Sequence, residues 1–469
     1  MRALLDVTPT PEQLSLFSRV KSGVEVIRGA AGSGKTTTAL LKLRSTLSFF
    51  INRKRRQNRV DPIRILVLTY NRTLSGYISE LANQQVPQSA EINLEIMTFG
   101  KWAMSTLGRQ VMIDDSVRSG LITQLGSSIE LPTLFIEEEV DYLLGRFMPD
   151  DINKYLTVRR DGRGGTPRMD QPQREALIAN VVQPFIAYKK KHRLKDWNDL
   201  AVELAETKHQ HYDVVIVDET QDFSANQIRA VMNQLMDTHS VTFILDTVQR
   251  IYSRGFTWQE VGIQVRPENS FRLAVNYRNT KEIAAFAASL LNGLGTDDDG
   301  TMPNFAYATG TGIKPKVLKG QYNKQVSFAI KTIKSDINLS EESIAFLHPK
   351  GGGWFDRPGG LRNRLGEAGL PFVEITRESD WPQGTENIAL STLHSAKGLE
   401  FDHVFILGLN KEVLPHGDGT EDERLSTLRR LLAMGIGRAK KSVVLGYAPD
   451  DVSSLFDFFD KDTYEEHIL

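Results

Sequence analysis

The stretch Gly29-Ala30-Ala31-Gly32-Ser33-Gly34-Lys35-Thr36 fits the pattern G-x-x-x-x-G-K-[S/T], and its flanks decide the fold. Ahead of it lies VEVI, residues 24–27, a short β-branched run; it leads into TTTALLKL, residues 36–43, which favours helix. Between a strand and a helix, the glycines of such a turn let backbone N–H groups close around phosphate oxygens, and the helix N-terminus adds a favourable dipole. Gly29, Ala30, Ala31, Gly32, Ser33 and Gly34 form the expected cradle. Lys35 reaches the β- and γ-phosphates, Thr36 holds Mg²⁺ and Thr37 follows in the helix. A nucleoside triphosphate with Mg²⁺ is the predicted ligand, on an α/β sheet.

Similar runs recur outward from this turn. Val24–Arg28, Ile63–Tyr70, Ile92–Phe99, Val214–Asp218 and Val241–Asp246 are short, apolar and each followed by a helical stretch, the pattern of strands buried on both faces of a parallel sheet. From Gly100 to about Leu204 the segments become long, charged and helix-favouring, broken by RRDGRGGTPR at 159–168. A second alternation begins near Phe271 and continues through Lys316–Leu318, Ser343–Leu347, Phe372–Ile375, Ile388–Leu393, Val404–Leu407 and Ser442–Leu445. The expected organisation is a first α/β lobe from 1–99 and 205–267, a mainly helical insertion over 100–204, and a second α/β lobe over 268–469.

Bulk properties bound the function. The chain has 469 residues, 40% hydrophobic and 25% charged, which suits large buried cores and shows no disordered bias. With Cys 0 there is no disulfide, thiolate metal site or cysteine nucleophile. No apolar run approaches the ~20 residues of a spanning helix, so no membrane role is expected and the cytoplasm is the default location. A net charge of -1 means that nucleic-acid binding would need local basic patches. Arg53–Arg59 and Lys189–Lys195 are two such patches that could track phosphates, although a solvated face is the commoner use of such runs.

After the apolar run Val214–Val217 comes Asp218-Glu219-Thr220-Gln221-Asp222, which sets two carboxylates at a strand's C-terminal edge, where open α/β sheets build their sites. Asp218 is expected to hold Mg²⁺ and Glu219 to orient and deprotonate the water that attacks the γ-phosphate. The plainer reading is a polar turn in which Asp222 or Ser224 caps a helix.

In their order along the chain, these and further motifs resemble the UvrD/Rep-type superfamily 1 helicases, from Thr10 to Tyr447. TPEQ is similar to the family's adenine-reading motif, which implies that Gln13 meets the base. DETQD is similar to D-E-x-Q-D. LDTVQRIY is similar to G-D-x-x-Q-x-I-Y, with Leu245 in place of the glycine, and makes Gln249 the γ-phosphate sensor. NYRNT resembles N-Y-R-x-T, which implies that Tyr277 stacks on adenine and Arg278 contacts the γ-phosphate. STLHSAKGLEF resembles T-x-H-x-x-K-G-L-E-F, placing Glu400 at the ribose and His394 at the DNA backbone. MGIGRAKKSVVL resembles V-x-[VI]-T-R-A-x-x-x-L, which implies that Arg438 is the second arginine finger, with Gly437 where the family has threonine and Ala433 where it has an aromatic.

The resemblance implies two RecA-like lobes, ATP and Mg²⁺ as cofactors, and 3′ to 5′ movement on single-stranded or tailed duplex DNA. Single strands are held by phosphate contacts and by aromatic faces on which bases stack. Tyr70, Asn71, Thr98, Phe99, Trp102, Tyr252, Phe256 and Trp258 are candidates near strand ends, although core packing is the commoner use of any one of these aromatics; Arg254, Phe256 and Trp258 remain alternatives for one stacking position. Thr280–Ser391 is barely long enough for the second lobe's own elements, so the family's large second insertion is expected to be absent or tiny. Asp450–Leu469 is too short for a nuclease domain. The expected function is an ATP-dependent DNA helicase or translocase. A regulatory DNA-sensing ATPase that acts with a nuclease or a repair or defence factor is the first alternative, and an RNA helicase the second.

Overall fold

The computed structural model describes residues 13–14, 16, 22–29, 33–69, 72–85, 89–160, 168–246, 255–273, 275–294, 308, 310–349, 355, 360–376, 381–382, 384–414 and 423–469. A first sheet is built from β1 (Gly23–Gly29), β2 (Ile63–Thr69), β3 (Ile92–Thr98), β4 (Tyr212–Val217), β5 (Leu235–Asp246) and β6 (Ser270–Leu273). Their order is β3-β2-β4-β5-β1-β6, and every described pairing is parallel. The second sheet contains β7 (Lys316–Lys319), β8 (Ile344–His348), β9 (Val373–Ile375), β10 (Ile388–Thr392), β11 (Phe401–Ile406), β12 (Ala439–Tyr447) and β13 (Glu465–Ile468). It runs β13-β7-β12-β11-β8-β10-β9, again all parallel. The two α/β lobes read from sequence are both present.

The first lobe's helices are α1 (Lys35–Arg56), α2 (Arg72–Gln85), α3 (Phe99–Leu107), α4 (Asp115–Leu125), α5 (Thr133–Arg146), α6 (Gln171–Ala176), α7 (Gln183–His192), α8 (Trp197–Glu206) and α9 (Ala225–Asn233). Apolar spacing explains how α1 lies on the sheet: Leu40, Leu43, Leu47 and Phe50 recur on one face and are all buried. Each such side chain stabilises by roughly 1.5–3 kcal/mol relative to exposure. Second-lobe helices are α10 (Lys281–Ser289), α11 (Tyr322–Asp336), α12 (Leu361–Glu367) and α13 (Glu423–Ile436).

Three details differ from the sequence reading. Phe271 does not open the second sheet, because β6 pairs with β1, Ile27 opposite Phe271. A four-residue edge strand has no local signal for which sheet it joins. The insertion is not independent at its ends either. Trp102 and Ala103 on α3 and Leu200 and Leu204 on α8 join the core that contains Val26, Leu66 and Val217 of the first sheet, while a separate helical core spans Ile113 to Phe185. Lastly, β13 was not anticipated, since EEHI at a sheet edge lacks a continuous apolar pattern.

The lobes meet along one shared apolar cluster that holds Leu74 and Tyr77 of α2 together with Trp381, Leu393 and Ala396. Tyr77 and Trp381 pack edge-on, ring centroids 5.1 Å apart. Gly398 has φ +83°, and a Cβ there would lie 2.8 Å from Leu74 Cδ1, so glycine lets the second lobe approach α2. Among the described residues, no helix is long and apolar enough to cross a membrane.

Candidate nucleotide site and nucleic-acid cleft

The phosphate turn is placed by β1 and α1. Gly34 has φ +71°, the left-handed conformation glycine adopts without cost, and its carbonyl accepts the Thr38 hydroxyl at 2.7 Å. Gln13, almost fully buried, donates Nε2 to the carbonyls of Ser33 at 3.4 Å and Gly34 at 3.3 Å. The residue expected to read adenine thus also braces the turn. Lys35 Nζ folds back to the Gly29 carbonyl at 3.0 Å. Ala30, Ala31 and Gly32 lie outside the described residues, while Thr37 sits half-buried in the first turn of α1.

The acidic pair sits where β4 ends, one strand away from β1 across β5. Thr36 Oγ1 donates to Asp218 Oδ2 at 2.9 Å and lies 3.1 Å from Oδ1, while the Glu219 amide donates to Asp218 Oδ1 at 3.0 Å. Burial, reinforced by the neighbouring Glu219 carboxylate, pushes the Asp218 carboxyl up to about 7. A hydroxyl and a buried carboxylate within bonding distance of each other are the hard oxygen donors Mg²⁺ takes, the rest of its shell coming from water and phosphate.

Glu219 has φ +51°, an unusual backbone for a non-glycine residue, and its carboxylate accepts from the Gln221 amide. Ser224 and Gln227 form the capping box that starts α9, so the plainer reading holds for Ser224. Asp222 instead pairs with Lys397 from the second lobe.

On the facing lobe, NYRNT is stapled to the last motif. Asn279 Nδ2 donates to the carbonyls of Gly437 at 3.2 Å and Ala439 at 2.6 Å, Asn276 donates to Asn279 at 2.8 Å, and Thr280 caps α10. Gly437 contributes its backbone carbonyl, so the missing threonine side chain leaves this staple intact. Tyr277 is 40% exposed, open enough to receive a base. Arg278 pairs with Glu400, which also meets Lys440 at 3.4 Å. Burial works against ionisation of Glu400, but Arg278 and Lys440 outweigh it and hold the carboxyl down at about 2. Arg278 Nε is buried without a hydrogen-bond partner among the described residues, a donor suited to a phosphate oxygen. Arg438 is buried, its Nη1 3.5 Å from the Leu399 carbonyl.

A cavity of about 980 Å³ opens at the ends of β2 and β3 beneath the insertion, lined by Thr69, Arg72, Thr98, Trp197, Asn198 and Gln227 among others. Thr98 uses its hydroxyl to cap α3. Phe99 lines the cavity but is buried against Trp102 and Phe223, and Trp102 is fully buried with its indole N–H donated to Tyr212 at 3.2 Å. Both therefore serve the core, as apolar residues at the base of a helix usually do. Phe256 and Trp258 are half-buried, Trp258 packing on Phe243 with centroids 5.1 Å apart. His394 sits half-buried in the turn after β10. Tyr70, Asn71, Gln249, Tyr252 and Arg254 lie outside the described residues. Sequence reasoning missed Trp197, which lines the cavity and is 49% exposed; a tryptophan flanked by Asp196 and Asn198 was the local signal.

The two basic patches separate. Arg53–Arg59 lies at the end of the first sheet away from the phosphate turn, where Lys54 pairs with Asp61 and Asp213, Arg55 with Glu91 and Arg59 with Asp61, so three of its cations are taken up by carboxylates. In the second patch Lys189 is buried between Asp196 and Asp199, while Lys190, Lys191 and Arg193 stay exposed.

Fold and site together define a two-lobed P-loop nucleotide-binding protein, with its phosphate turn on one lobe and its arginines on the other. The chain belongs to the UvrD/Rep helicase family: the UvrD/REP helicase N-terminal domain matches residues 10–257 and the UvrD-like helicase C-terminal domain residues 366–450. It is 24% identical over 458 residues to a probable DNA helicase of Mycoplasma pneumoniae, covering 90% of this chain and 80% of that protein. It is 25% identical over 392 residues to the ATP-dependent DNA helicase UvrD2 of Mycobacterium tuberculosis, covering 60% of this chain and 56% of that one. The chain spans 40% of the length of a probable DNA helicase II homolog of Mycoplasma pneumoniae, at 24% identity and with 57% of this chain covered.

Proposed function

We propose that the protein is an ATP-dependent motor on single-stranded DNA that translocates 3′ to 5′ and separates strands ahead of it. The observation that supports this reading is the cleft between the lobes: Thr36 and Asp218 bond each other on the first lobe, Lys397 of the second lobe reaches Asp222 and Glu219, and Arg278 and Arg438 stand on that second lobe. Such a division lets nucleotide close the cleft and hydrolysis release it. Lys35 and the Gly29–Gly34 cradle bind the β- and γ-phosphates. Thr36 and Asp218 would hold Mg²⁺, which supplies charge neutralisation at the phosphate oxygens when bound. Glu219 orients the attacking water and accepts its proton, and Gln249 senses the γ-phosphate. Arg278 leaves Glu400 to meet the γ-phosphate as Glu400 turns to the ribose, and Arg438 follows as the second finger. Gln13 and Tyr277 hold the adenine. Thr98 and Trp197, which line the 980 Å³ cavity, contact the strand there, and His394 and the Phe256–Trp258 segment contact it outside that cavity.

The test is ATP hydrolysis with and without single-stranded DNA, followed by strand displacement on 3′- and 5′-tailed duplexes. Strong stimulation with displacement from the 3′ tail is the expected outcome; no stimulation overturns the reading. Stimulation without displacement supports a regulatory ATPase that works with a nuclease or a repair or defence factor.

A further inference from the structure

We propose that Lys397 is an inter-lobe positioning residue that fixes the general base Glu219 only while the lobes are closed. The inference rests on the motor reading above and adds a residue that reading leaves without a role. Lys397 is 1% exposed and belongs to the turn 393–398 of the second lobe. Its ammonium pairs with Asp222 Oδ2 and lies 3.6 Å from Glu219 Oε2, both on the first lobe.

A fully buried ammonium is costly unless carboxylates meet it, and here they come from across the cleft. Parting the lobes would strip Lys397 from Asp222 and remove the cation that, with the Gln221 amide, fixes the Glu219 carboxylate. The turn is tied together by hydrogen bonds. Leu393 N–H donates to the His348 carbonyl at 3.0 Å, Ser395 N–H to Thr392 Oγ1 at 3.0 Å and Lys397 N–H to the His394 carbonyl at 3.3 Å. Gly398 seats the turn under Leu74 of α2. His394, the proposed backbone contact, stands three residues before Lys397 on this turn, so a strand that settles the turn also settles the Glu219 carboxylate.

The experiment measures kcat and KM for ATP, with and without single-stranded DNA, in Lys397→Met, Asp222→Asn and the paired variant, alongside thermal melting. The paired variant matters because Lys397→Met alone takes one cation away from the buried Asp222 carboxylate. The expected result is a loss of ~10²-fold in kcat in all three, since small misplacements of a reacting group cost about that much. KM should stay within about threefold and melting should recover in the paired variant. Wild-type kcat in the paired variant, or kcat losses that multiply from the single variants to the pair, would overturn the proposal. If the wild type hydrolyses ATP without responding to DNA, the motor reading fails, and kcat of the same variants still decides the role of Lys397.

Discussion

The two walls of the cleft are built differently. On the first lobe, side chains are set by a strand end and a helix start: Asp218 after β4 and Thr36 in the first turn of α1 bond each other at 2.9 Å, and Gln13 braces the phosphate turn. On the second lobe, the functional groups are the tips of long cationic chains, and carboxylates hold them, Arg278 by Glu400 and Lys397 by Asp222 across the gap. One wall is preorganised and the other is exchangeable. An ion pair can trade one anion for another with little loss, whereas a backbone cradle cannot be remade each turnover. A cycle that closes and reopens needs one wall of each kind.

Breaking the exchangeable wall should cost most. Arg278→Ala is expected to lower kcat by ~10³-fold or more, the range of arginine fingers, while a fluorescent nucleotide still binds. Loss of nucleotide binding instead would place Arg278 with the preorganised groups. On the other wall, Glu219→Gln should lower kcat by ~10²–10⁴-fold with ATP KM little changed, measured by phosphate release.

The seam that keeps the walls in register is tested by Trp381→Ala, which removes a buried ring from Tyr77 and should cost ~3–5 kcal/mol in chemical denaturation. A loss under ~1 kcal/mol would mean the lobes are held without it. The smallest effect concerns Asp218. Its raised carboxyl is ionised in the unfolded chain above about pH 4 but only above about 7 in the fold. In the folded protein it therefore costs stability as pH rises between those values, and the cost stays above 7. Mg²⁺ binds the ionised form, so the gain in melting temperature from Mg²⁺ should be larger at pH 8 than at pH 6. Equal gains at both would remove Asp218 from the metal site.

The first wall was largely legible in the sequence, because its residues lie next to each other: a phosphate turn and a DETQD are local patterns, and their strands carry continuous apolar runs. The exchangeable wall was legible only residue by residue. Arg278 and Arg438 come from the motif order, yet the Lys397–Asp222 contact joins positions 175 apart, and no local spacing encodes it. Asn276 and Asn279 were missed for a related reason, since Asn279 bonds backbone of the last motif, Asn276 orients Asn279, and a carbonyl has no sequence signature. Phe99 and Trp102 stayed ambiguous in the sequence because an aromatic at a strand end reads alike whether it faces a ligand or the core. Burial alone separates the two, and burial is a property of the assembled lobe.

The left-handed backbone of Glu219 has a consequence for protein engineering. Holding a side chain in that region costs of order 1–3 kcal/mol, and glycine escapes most of it despite its greater freedom when unfolded. Of two inactive variants, Glu219→Gly should therefore melt above Glu219→Gln. A selection for heat resistance alone would drift toward glycine at this position, gaining a hardier protein that no longer turns over ATP.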